Sequence, residues 1–520
     1  MIAVADPVVR GKHRGRSTFH ARPLAWAFGL GGVALLLRLL GLQRANEVFI
    51  DEVTYAALAD QVARGRLPST VGEPFFLHPP ASFALNGLVI RLFGLTGDVM
   101  DLALQLRAVN AVLGAATVVV VYLLVRRLGG PLPALVAGLV LVTDPFVLRM
   151  DGRVMIETPA GLGVLTGWLL VLRALDRDPG PERTRRELAA ALVFGIALLG
   201  KDMTAVFTVL PLAAAVLWRR TLPWSTVRRM LPVVAVPYLG YLGLIAVAGL
   251  APDFAAQKLT GVLRMAGAVQ ETGFNAAPGA DLATRLVEMV GRFGTSYLLL
   301  ALCPLAGLVA VLSARADRRL VGLLALAAGL LGVYCVLGGA AEEQFGHYVV
   351  LAAVVAVPVA VLELGERRRA LRRPLAAAAV LVCVLGAVLG LQARTTADDG
   401  LVRARDWMAS ELPAGTPVGL TSVTGEFALL PHDGWAVLPS LASLQTGAAR
   451  YVLTQSHPLS QGYGYAAPEL LDWLAAHARP VFTATGPSAG DTVVWRLDRP
   501  ALAAAVAAGT TLPPVTGGYP

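Results

Sequence analysis

Long apolar runs recur along the chain, and each is long enough to cross much or all of a lipid bilayer. A helix rises 1.5 Å per residue, so roughly 20 residues span a hydrocarbon core of about 30 Å. Hydrophobic residues make up 56% of the 520 residues and charged residues only 15%, which is unusual for a soluble domain. The sequence therefore predicts a polytopic α-helical membrane protein with about eleven transmembrane helices. The runs lie at residues 24–43, 108–125, 132–148, 154–174, 188–200, 203–218, 230–250, 293–312, 320–338, 347–364 and 374–392.

The first run has a second interpretation. Arg10, Lys12, Arg14 and Arg16 precede it and resemble the basic region of a signal peptide. However, the run is longer than the core of a signal peptide, and no small-residue cleavage site follows it. We therefore expect an uncleaved first transmembrane helix.

The basic residues indicate how the helices are oriented. Arginine clusters occur in alternate loops, all on the side of the amino terminus, so the positive-inside rule predicts a cytoplasmic amino terminus and an extracytoplasmic carboxyl terminus in the plasma membrane. This pattern explains the net charge of +9 better than nucleic-acid binding does. The clusters are Arg126 and Arg127, Arg183 with Arg185 and Arg186, Arg219 and Arg220, Arg315 with Arg318 and Arg319, and Arg367 to Arg369.

Acidic residues gather at the opposite ends of the runs. A carboxylate at the centre of a membrane helix costs roughly 2.5 to 3.5 kcal/mol on insertion scales, so we expect these residues to line an outer cavity rather than to face lipid. The alternative is that loops simply carry charges. The residues are Asp51, Glu52, Asp144, Asp151, Glu157, Asp202, Glu342 and Glu343.

Composition divides the chain into four parts. A basic cytoplasmic segment at 1–23 precedes the membrane domain at 24–392. After it, four strand-like runs at 416–422, 449–455, 480–486 and 491–497 alternate with helical patterns, which predicts a small extracytoplasmic α/β domain at 393–508. A flexible tail at 509–520 ends the chain.

Two predicted outer loops of the membrane domain are long. Residues 44–107 contain two short amphipathic helical patterns, which we expect to lie along the outer membrane surface. Residues 251–291 form the second loop, which we expect to act as a flap over a site.

Asp51 and Glu52 follow the first run and begin a predicted helix. The helix dipole favours carboxylates near a helix N-terminus, so capping is one interpretation. The other is catalysis. Asp51 at the roof of a membrane cavity would deprotonate an attacking hydroxyl, and Glu52 would position a substrate or help to hold a divalent cation.

His78 immediately precedes Pro79 and Pro80, which fix the backbone where a second helix begins. A protonated imidazole at the membrane boundary would contact a phosphate. An isolated histidine is, however, more often structural.

Arg149 and Arg153 lie on the outer side, against the trend of the other arginines. A lipid phosphate would explain them, and so would a local ion pair with Asp151 or Glu157.

The chain has three lysines, and only Lys201 lies between two apolar runs. Its ammonium is a candidate for binding an anionic leaving group, and a simple pair with Asp202 is the alternative. Three further candidates for substrate binding are expected on the same side: Lys258 in the second long loop, and His347 and Tyr348 in the fifth outer turn.

Together these features resemble the GT-C membrane glycosyltransferases, particularly bacterial relatives of the protein O-mannosyltransferases and of the aminoarabinose transferase that modifies lipid A. The resemblance extends from the first run to about residue 392. The motifs that carry it, in chain order, are DEVTYAALADQVARG, GEPFFLHPP, RAVNAVLGAATVVVVYLLVRRLGG, RVMIETP, GKDMTA and HYVVLAAVVAVP.

The resemblance implies a GT-C fold and an inverting transfer of a sugar from a polyprenyl phosphate to an acceptor glycan, lipid or protein. It also implies that Asp51 is the base or a metal-proximal acid, and that cations such as Lys201, Arg153 and His78 contact the phosphate. Relatives often have Glu-Lys where this chain has Leu77 and His78. A divalent cation is left open, and no nucleotide cofactor is expected because the lipid anchor supplies recognition.

Two other classes of function stay open from the sequence. One is a transporter or flippase of a glycolipid, although its halves would normally show an inverted repeat, and none is evident. The other is an inactive scaffold whose outer domain binds a partner.

Overall fold

A computed structural model describes most of the chain, from the first predicted transmembrane helix to the last helix of the C-terminal region. It covers residues 23–266, 268, 272–273, 282–337, 340–341, 343–430, 432–460 and 464–512. Up to residue 395 the fold is almost entirely helical. The helices of this part are α1 (Pro23–Leu39), α2 (Ile50–Ala63), α3 (Ala81–Phe93), α4 (Val99–Gly129), α5 (Pro131–Thr143), α6 (Pro145–Asp151), α7 (Glu157–Leu175), α8 (Pro181–Gly200), α9 (Thr204–Leu217), α10 (Trp224–Val247), α11 (Ala251–Met265), α12 (Leu282–Val311), α13 (Ala316–Leu337), α14 (Glu343–Arg367) and α15 (Arg372–Thr395).

The predicted apolar runs correspond to helices, but the count of eleven spans is not confirmed. Among the described residues, seven helices are long and apolar enough to cross a membrane, and α5 with α6, bent by 61°, would be an eighth. The helices α1 and α9 have only 17 and 14 residues. The seven are α4, α7, α10, α12, α13, α14 and the stretch that contains α15.

Glycine allows α12 and α13 to pack backbone against backbone. A Cβ atom added at Gly322 would lie 2.3 Å from the backbone nitrogen of Val311, and one at Gly329 would lie 2.7 Å from that of Pro304. Side chains at these positions would force the helices apart, which is why small residues are common where membrane helices touch. The large buried core surrounds this pair and includes α4, α7 and α14.

The first predicted outer loop, 44–107, is shorter in the structure than in the prediction, because α4 begins at Val99. Asp98 caps this helix: its side chain accepts a hydrogen bond from the Asp101 amide while Asp101 accepts one from the Asp98 amide, which stabilises the helix N-terminus. The two predicted amphipathic helices of the loop are α2 and α3. They pack against each other through an apolar cluster that includes Tyr55, Leu58 and Phe83.

Short strands also occur in the membrane part. They form two-stranded pairs, antiparallel between β1 and β2 and parallel between β3 and β4. Their bounds are β1 (Ser69–Thr70), β2 (Glu73–Pro74), β3 (Thr272–Gly273) and β4 (Ala340–Ala341).

The chain after residue 400 contains a small five-stranded sheet of order β6-β5-β7-β9-β8. Strands β5, β6 and β7 are parallel, and β9 is antiparallel to both β7 and β8. The sequence predicted four of these strands and missed β6, which is only three residues long. The elements are α16 (Gly400–Glu411), β5 (Val418–Leu420), α17 (Val423–Leu429), β6 (Trp435–Val437), α18 (Leu441–Thr446), β7 (Tyr451–Gln455), α19 (Ser456–Ser460), α20 (Glu469–His477), β8 (Ala478–Gly486), β9 (Gly490–Leu497) and α21 (Arg499–Ala507).

An apolar cluster joins this sheet to the membrane part. Val53 of α2 and Met100 of α4 are fully buried together with Leu401, Leu420 and Val494 of the C-terminal region. The helix α17 also packs directly on α2. The C-terminal region therefore supports the helix that carries Asp51.

Substitution of Met100 by Ala should loosen this joint. Met100 is 0% exposed, and truncating a buried Met to Ala costs about 2 to 5 kcal/mol. We expect a lower thermal unfolding midpoint and faster proteolysis between α15 and α16. Val112→Ala on the same helix is the control, because Val112 is 53% exposed and should change the midpoint little. Equal stability of the two variants would contradict this role of Met100.

Candidate active site

Asp51 lies in the first turn of α2 and is connected to Lys201 through one glutamine. The Gln344 side-chain amide nitrogen donates a hydrogen bond to Asp51 Oδ2. Lys201 Nζ donates to Gln344 Oε1 over 2.8 Å. An ionisable carboxylate and an ammonium are thus held on the two sides of a single amide group.

Gln344 was not singled out from the sequence, although it lies in the fifth outer turn next to Glu342 and Glu343. It is 8% exposed and occupies the first turn of α14. Glu342 lies outside the described residues, as does the side chain of Glu343. The sequence signal that could have identified Gln344 is a neutral amide side chain at the start of an apolar helix. Such a side chain can donate and accept hydrogen bonds at the same time.

Lys201 follows the last residue of α8, where the backbone becomes extended. Its ammonium forms an ion pair with Glu157 and lies 5.6 Å from the centre of the Phe345 ring. Lys201 is 4% exposed and Glu157 is fully buried. The predicted alternative partner, Asp202, does not contact this ammonium but pairs with Lys258.

Three of the predicted substrate-binding residues present buried polar atoms without a hydrogen-bond partner among the described residues. These atoms are Glu157 Oε2, His347 Nδ1 and Tyr348 Oη. Tyr348 also stacks on Phe207, with 4.8 Å between the ring centres. Buried polar groups are normally satisfied, so these atoms are suited to bind a polar ligand.

The amphipathic helix α11 connects the second long loop to the first. Lys258 Nζ donates to the Leu77 carbonyl over 2.9 Å and pairs with Asp202. The Gln257 side chain accepts from the Phe76 amide over 2.7 Å and donates to the Pro74 carbonyl. In the predicted flap, residues 251–265 form α11 and residues 282–291 form the start of α12, and most of 267–281 lies outside the described residues.

Glu52 has a different environment from Asp51. Its two carboxylate oxygens accept hydrogen bonds from Arg107 over 2.7 and 2.8 Å, and Oε1 also accepts from the Val154 amide over 3.1 Å. Glu52 and Arg107 are both 0% exposed. The prediction that Glu52 is catalytic or binds a metal is therefore corrected: it anchors α2 to α4 and to the segment before α7.

Arg149 and Arg153 both form ion pairs with Glu47. The sequence predicted a local ion pair with Asp151 or Glu157. Instead, Asp151 pairs with Arg38 and Glu157 pairs with Lys201. Burial alone would raise the pKa of Glu47, but the charges of Arg153 and Arg149 bring it below its ordinary value. Arg153 is 1% exposed, so its head group is held in this network with Glu47.

Two of the predicted cavity carboxylates are structural. Asp151 accepts from Arg38 over 2.9 Å and from Thr158 over 2.9 Å. Asp144 caps α6 by accepting from the Val147 amide over 2.9 Å. These contacts explain why the carboxylates of Asp151 and Asp144 are buried, without the cavity lining that was predicted for them.

Comparison with known proteins identifies the fold. Residues 30–251 match the sequence model of the dolichyl-phosphate-mannose-protein mannosyltransferase family, and no curated protein matches the chain. ArnT from Cupriavidus metallidurans, bound to undecaprenyl phosphate, has a TM-score of 0.57 and 16% identity, with 91% of this chain and 98% of that chain covered. Residues 30–251 are thus similar to the protein mannosyltransferases, and the chain shares the GT-C fold of ArnT.

This GT-C fold is shared with the oligosaccharyltransferase of Archaeoglobus fulgidus. The complex of that protein with Zn and sulfate has a TM-score of 0.54 and 14% identity, with 90% of this chain and 72% of that chain covered. AglB from the same organism, in complex with an inhibitory peptide and a dolichol-phosphate, has a TM-score of 0.55 and 13% identity, with coverages of 90% and 74%.

A divalent cation has few available ligands in the described part of the chain. No group of three or more His, Cys, Asp or Glu side chains that could hold a metal occurs among the described residues. Of the two predicted ligands, Glu52 is already bound by Arg107, and one carboxylate at Asp51 does not make a cation site. The described residues therefore do not fit a metal centre.

His78 lies where GT-C relatives often have Lys, and its ring packs against aromatic neighbours. The ring centre is 5.8 Å from that of Tyr55 and 6.0 Å from that of Phe75. Burial, followed by the charges of Lys201 and Lys258, holds the pKa of His78 well below 6.5. The prediction of a protonated imidazole is therefore corrected, because His78 is neutral near pH 7 and offers one hydrogen-bond donor and one acceptor but no positive charge.

Replacing Glu52 by Gln should destabilise the GT-C fold strongly. The variant leaves Arg107 buried without a countercharge, which costs about 3 to 5 kcal/mol for a buried pair. Asp60→Asn on the same helix is the control, since it removes the partner of Arg64, which is 63% exposed, and such surface pairs contribute about 0 to 1 kcal/mol. Thermal unfolding of the solubilised protein measures both. Similar losses in the two variants would contradict an anchoring role.

The lowered pKa of His78 should make the fold sensitive to acid. Between the unfolded value of about 6.5 and the lower folded value, the unfolded state binds more protons, so stability falls as pH falls below about 6.5. His78→Gln should remove that part of the pH dependence. His477→Gln, at an exposed position of α20, is the control and should leave the dependence as in the unmodified protein. An unchanged profile in His78→Gln would contradict the neutral state.

Proposed function

We propose that the protein transfers a sugar from a polyprenyl-phosphate donor to an acceptor, with inversion at the anomeric carbon and with Asp51 as the general base. The observation that carries this proposal is the Asp51–Gln344–Lys201 connection, which holds a base and a cation on either side of one amide. The similarity to ArnT bound to undecaprenyl phosphate and to AglB with a dolichol-phosphate supports a donor of this chemical class.

The chemistry requires opposite charges at the two ends of the reacting bond. As the bond between the anomeric carbon and the phosphate oxygen breaks, positive charge develops on the sugar and negative charge on the departing phosphate. A base on one face would remove the proton from the attacking hydroxyl, and a cation on the other would stabilise the phosphate. Asp51 is suited to the first role and Lys201 to the second.

Lys258 is a second cation for the phosphate. Its side chain is 20% exposed, in contrast to the buried Lys201, so a ligand at the membrane boundary can reach it. The contact with the Leu77 carbonyl places it beside the loop that precedes α3. We propose that Lys258 meets the phosphate as the donor arrives and that Lys201 acts at the reacting bond.

Gln344 would be a positioning residue. A hydrogen bond from an amide N–H favours the ionised form of a carboxylate, so Gln344 would keep Asp51 charged and correctly directed. Its carbonyl oxygen fixes Lys201 at the same time. Glu157 Oε2, His347 Nδ1 and Tyr348 Oη would then bind hydroxyl groups of the sugar.

We propose that the site and the C-terminal sheet lie on the extracytoplasmic side. Arginine-rich loops meet at the other end of the helices, where Arg127 pairs with Asp317 over 2.8 Å and Arg318 with Glu363 over 2.6 Å. Clustered arginines favour the cytoplasmic side. In this arrangement residues 24–392 form the membrane domain and 393–508 an outer domain positioned to contact the acceptor.

Asp51→Asn tests the proposed base. The amide cannot accept the proton, and general-base catalysis contributes roughly 10²- to 10⁴-fold, so sugar transfer should fall by that factor. Binding of undecaprenyl phosphate should stay within about twofold, because the cations are retained. Transfer is measured by mass spectrometry of envelope glycans, glycolipids and secreted proteins from a deletion strain complemented with each variant.

Asp60→Asn is the matched control on the same helix, and it should restore the missing sugar fully. Full transfer by Asp51→Asn would disprove the role of Asp51 as base. Solute transport into vesicles without any glycosylated product would instead indicate a transporter.

A further inference from the structure

A cavity separates the end of the membrane helices from the C-terminal sheet. It encloses about 570 Å³, part of it open to solvent. Its lining comes from the segment after α1, from α6, from the kink of α12 at Phe293, from the end of α15 and from the turn between β8 and β9. Its charged and amide side chains are Arg149, Arg292, Gln392, Arg394 and Asp398 with Asn46.

Arg394 is a buried cation at this cavity. It is 2% exposed. Its Nε donates to the Leu40 carbonyl over 2.9 Å and its Nη2 to the Arg38 carbonyl over 2.8 Å. Its Nη1 has no hydrogen-bond partner among the described residues.

The other fully or nearly buried arginines have carboxylate partners. Arg38 pairs with Asp151, Arg107 with Glu52 and Arg318 with Glu363. Among the described residues, no carboxylate lies within ion-pair distance of Arg394. Its two contacts with main-chain carbonyls do not supply the missing negative charge. A buried charge without a countercharge is costly, so this position favours an anion supplied from outside the chain.

Asp398 does not supply the missing charge. Its Oδ1 accepts a hydrogen bond from the Ser488 amide over 3.1 Å, and Oδ2 lies 3.9 Å from Arg292. Arg292 in turn donates to the Pro487 carbonyl over 2.9 Å. These contacts connect α12 to the C-terminal region at the edge of the cavity and leave Arg394 without a countercharge.

We propose that this cavity binds a phosphate-type anion, with Arg394 as the principal charge. Guanidinium groups bind phosphate oxygens through paired N–H donors. The cavity lies at the end of α15, which is part of a candidate membrane span, and the end of a transmembrane helix lies at the level of the lipid headgroups. The phosphate would come from a lipid headgroup or from solution. None of the side chains that line the cavity belongs to the Asp51–Gln344–Lys201 contacts.

Such an anion would also strengthen the junction between the two regions. Arg394 belongs to α15, and the cavity is bounded on its far side by Asp398 and Pro487. A phosphate held in the cavity would accept hydrogen bonds from Arg394 of α15 and from Arg292, which itself donates to the Pro487 carbonyl. Ligands that bind only the folded state raise its stability in proportion to their occupancy.

The test uses the full-length protein and two phosphate sources. Native mass spectrometry measures binding of phosphatidylglycerol against diacylglycerol, which lacks the phosphate. Thermal unfolding in detergent measures stabilisation by inorganic phosphate against chloride at equal ionic strength. Binding of the phospholipid alone would identify a lipid headgroup, and stabilisation by inorganic phosphate would show that the free anion suffices. The absence of both effects would overturn the proposal.

Paired variants at Gln392 assign the effect to this cavity. Gln392 lines it and is exposed, so both charge changes should fold. Gln392→Glu should weaken anion binding about tenfold and Gln392→Lys should strengthen it by a similar factor, because the added charge acts at short range. Arg394→Gln should abolish binding if the variant folds.

Arg44→Gln is the control at the same junction, since Arg44 is largely exposed and does not line the cavity. It should leave anion binding within about twofold. Equal binding by Gln392→Glu and Gln392→Lys would overturn the proposal even if Arg394→Gln does not fold.

Discussion

The buried ion pair between Glu52 and Arg107 determines how the end of the membrane part that carries Asp51 is built. Arg107 donates both to the carboxylate of Glu52 and to main-chain carbonyls of Leu42, Asn46 and Glu47. One guanidinium therefore holds the segment after α1, the start of α2 and the body of α4 together. With the Val154 amide on the same carboxylate, the segment before α7 is attached as well. Such a pair is costly to desolvate, but once formed it permits little alternative geometry.

This anchor gives two adjacent acids different environments. Successive residues of a helix point about 100° apart, so when Glu52 turns to Arg107, Asp51 is directed elsewhere and meets Gln344. A similar contrast in burial separates two ion pairs of the site. Glu157 and Lys201 are deeply buried, whereas Lys258 and Asp202 form a more exposed pair at α11. Buried contacts thus hold the inner part of the site, and the contacts at α11 are more accessible to solvent.

Sequence patterns predicted the elements well, because apolar periodicity reports burial directly. The helices of the membrane part and four of the five C-terminal strands were predicted from it, and the resemblance supplied Asp51 and Lys201. The partner choices were less predictable. Asp51 and Glu52 are indistinguishable in sequence, and Glu47, Gln344 and Arg107 acquire their roles only through contacts between residues far apart in the chain. The neutral state of His78 likewise depends on aromatic and cationic neighbours brought together by α2, α8 and α11.

The contact of α17 with α2 has a consequence for engineering this architecture. The C-terminal sheet shares one apolar core with the helix that carries Asp51, so the two are not interchangeable modules. A chimera that imports the sheet of a structural relative would have to import the facing surface of α2 and the first turns of α4 with it. The sheet and the placement of Asp51 would consequently diverge together in evolution rather than independently.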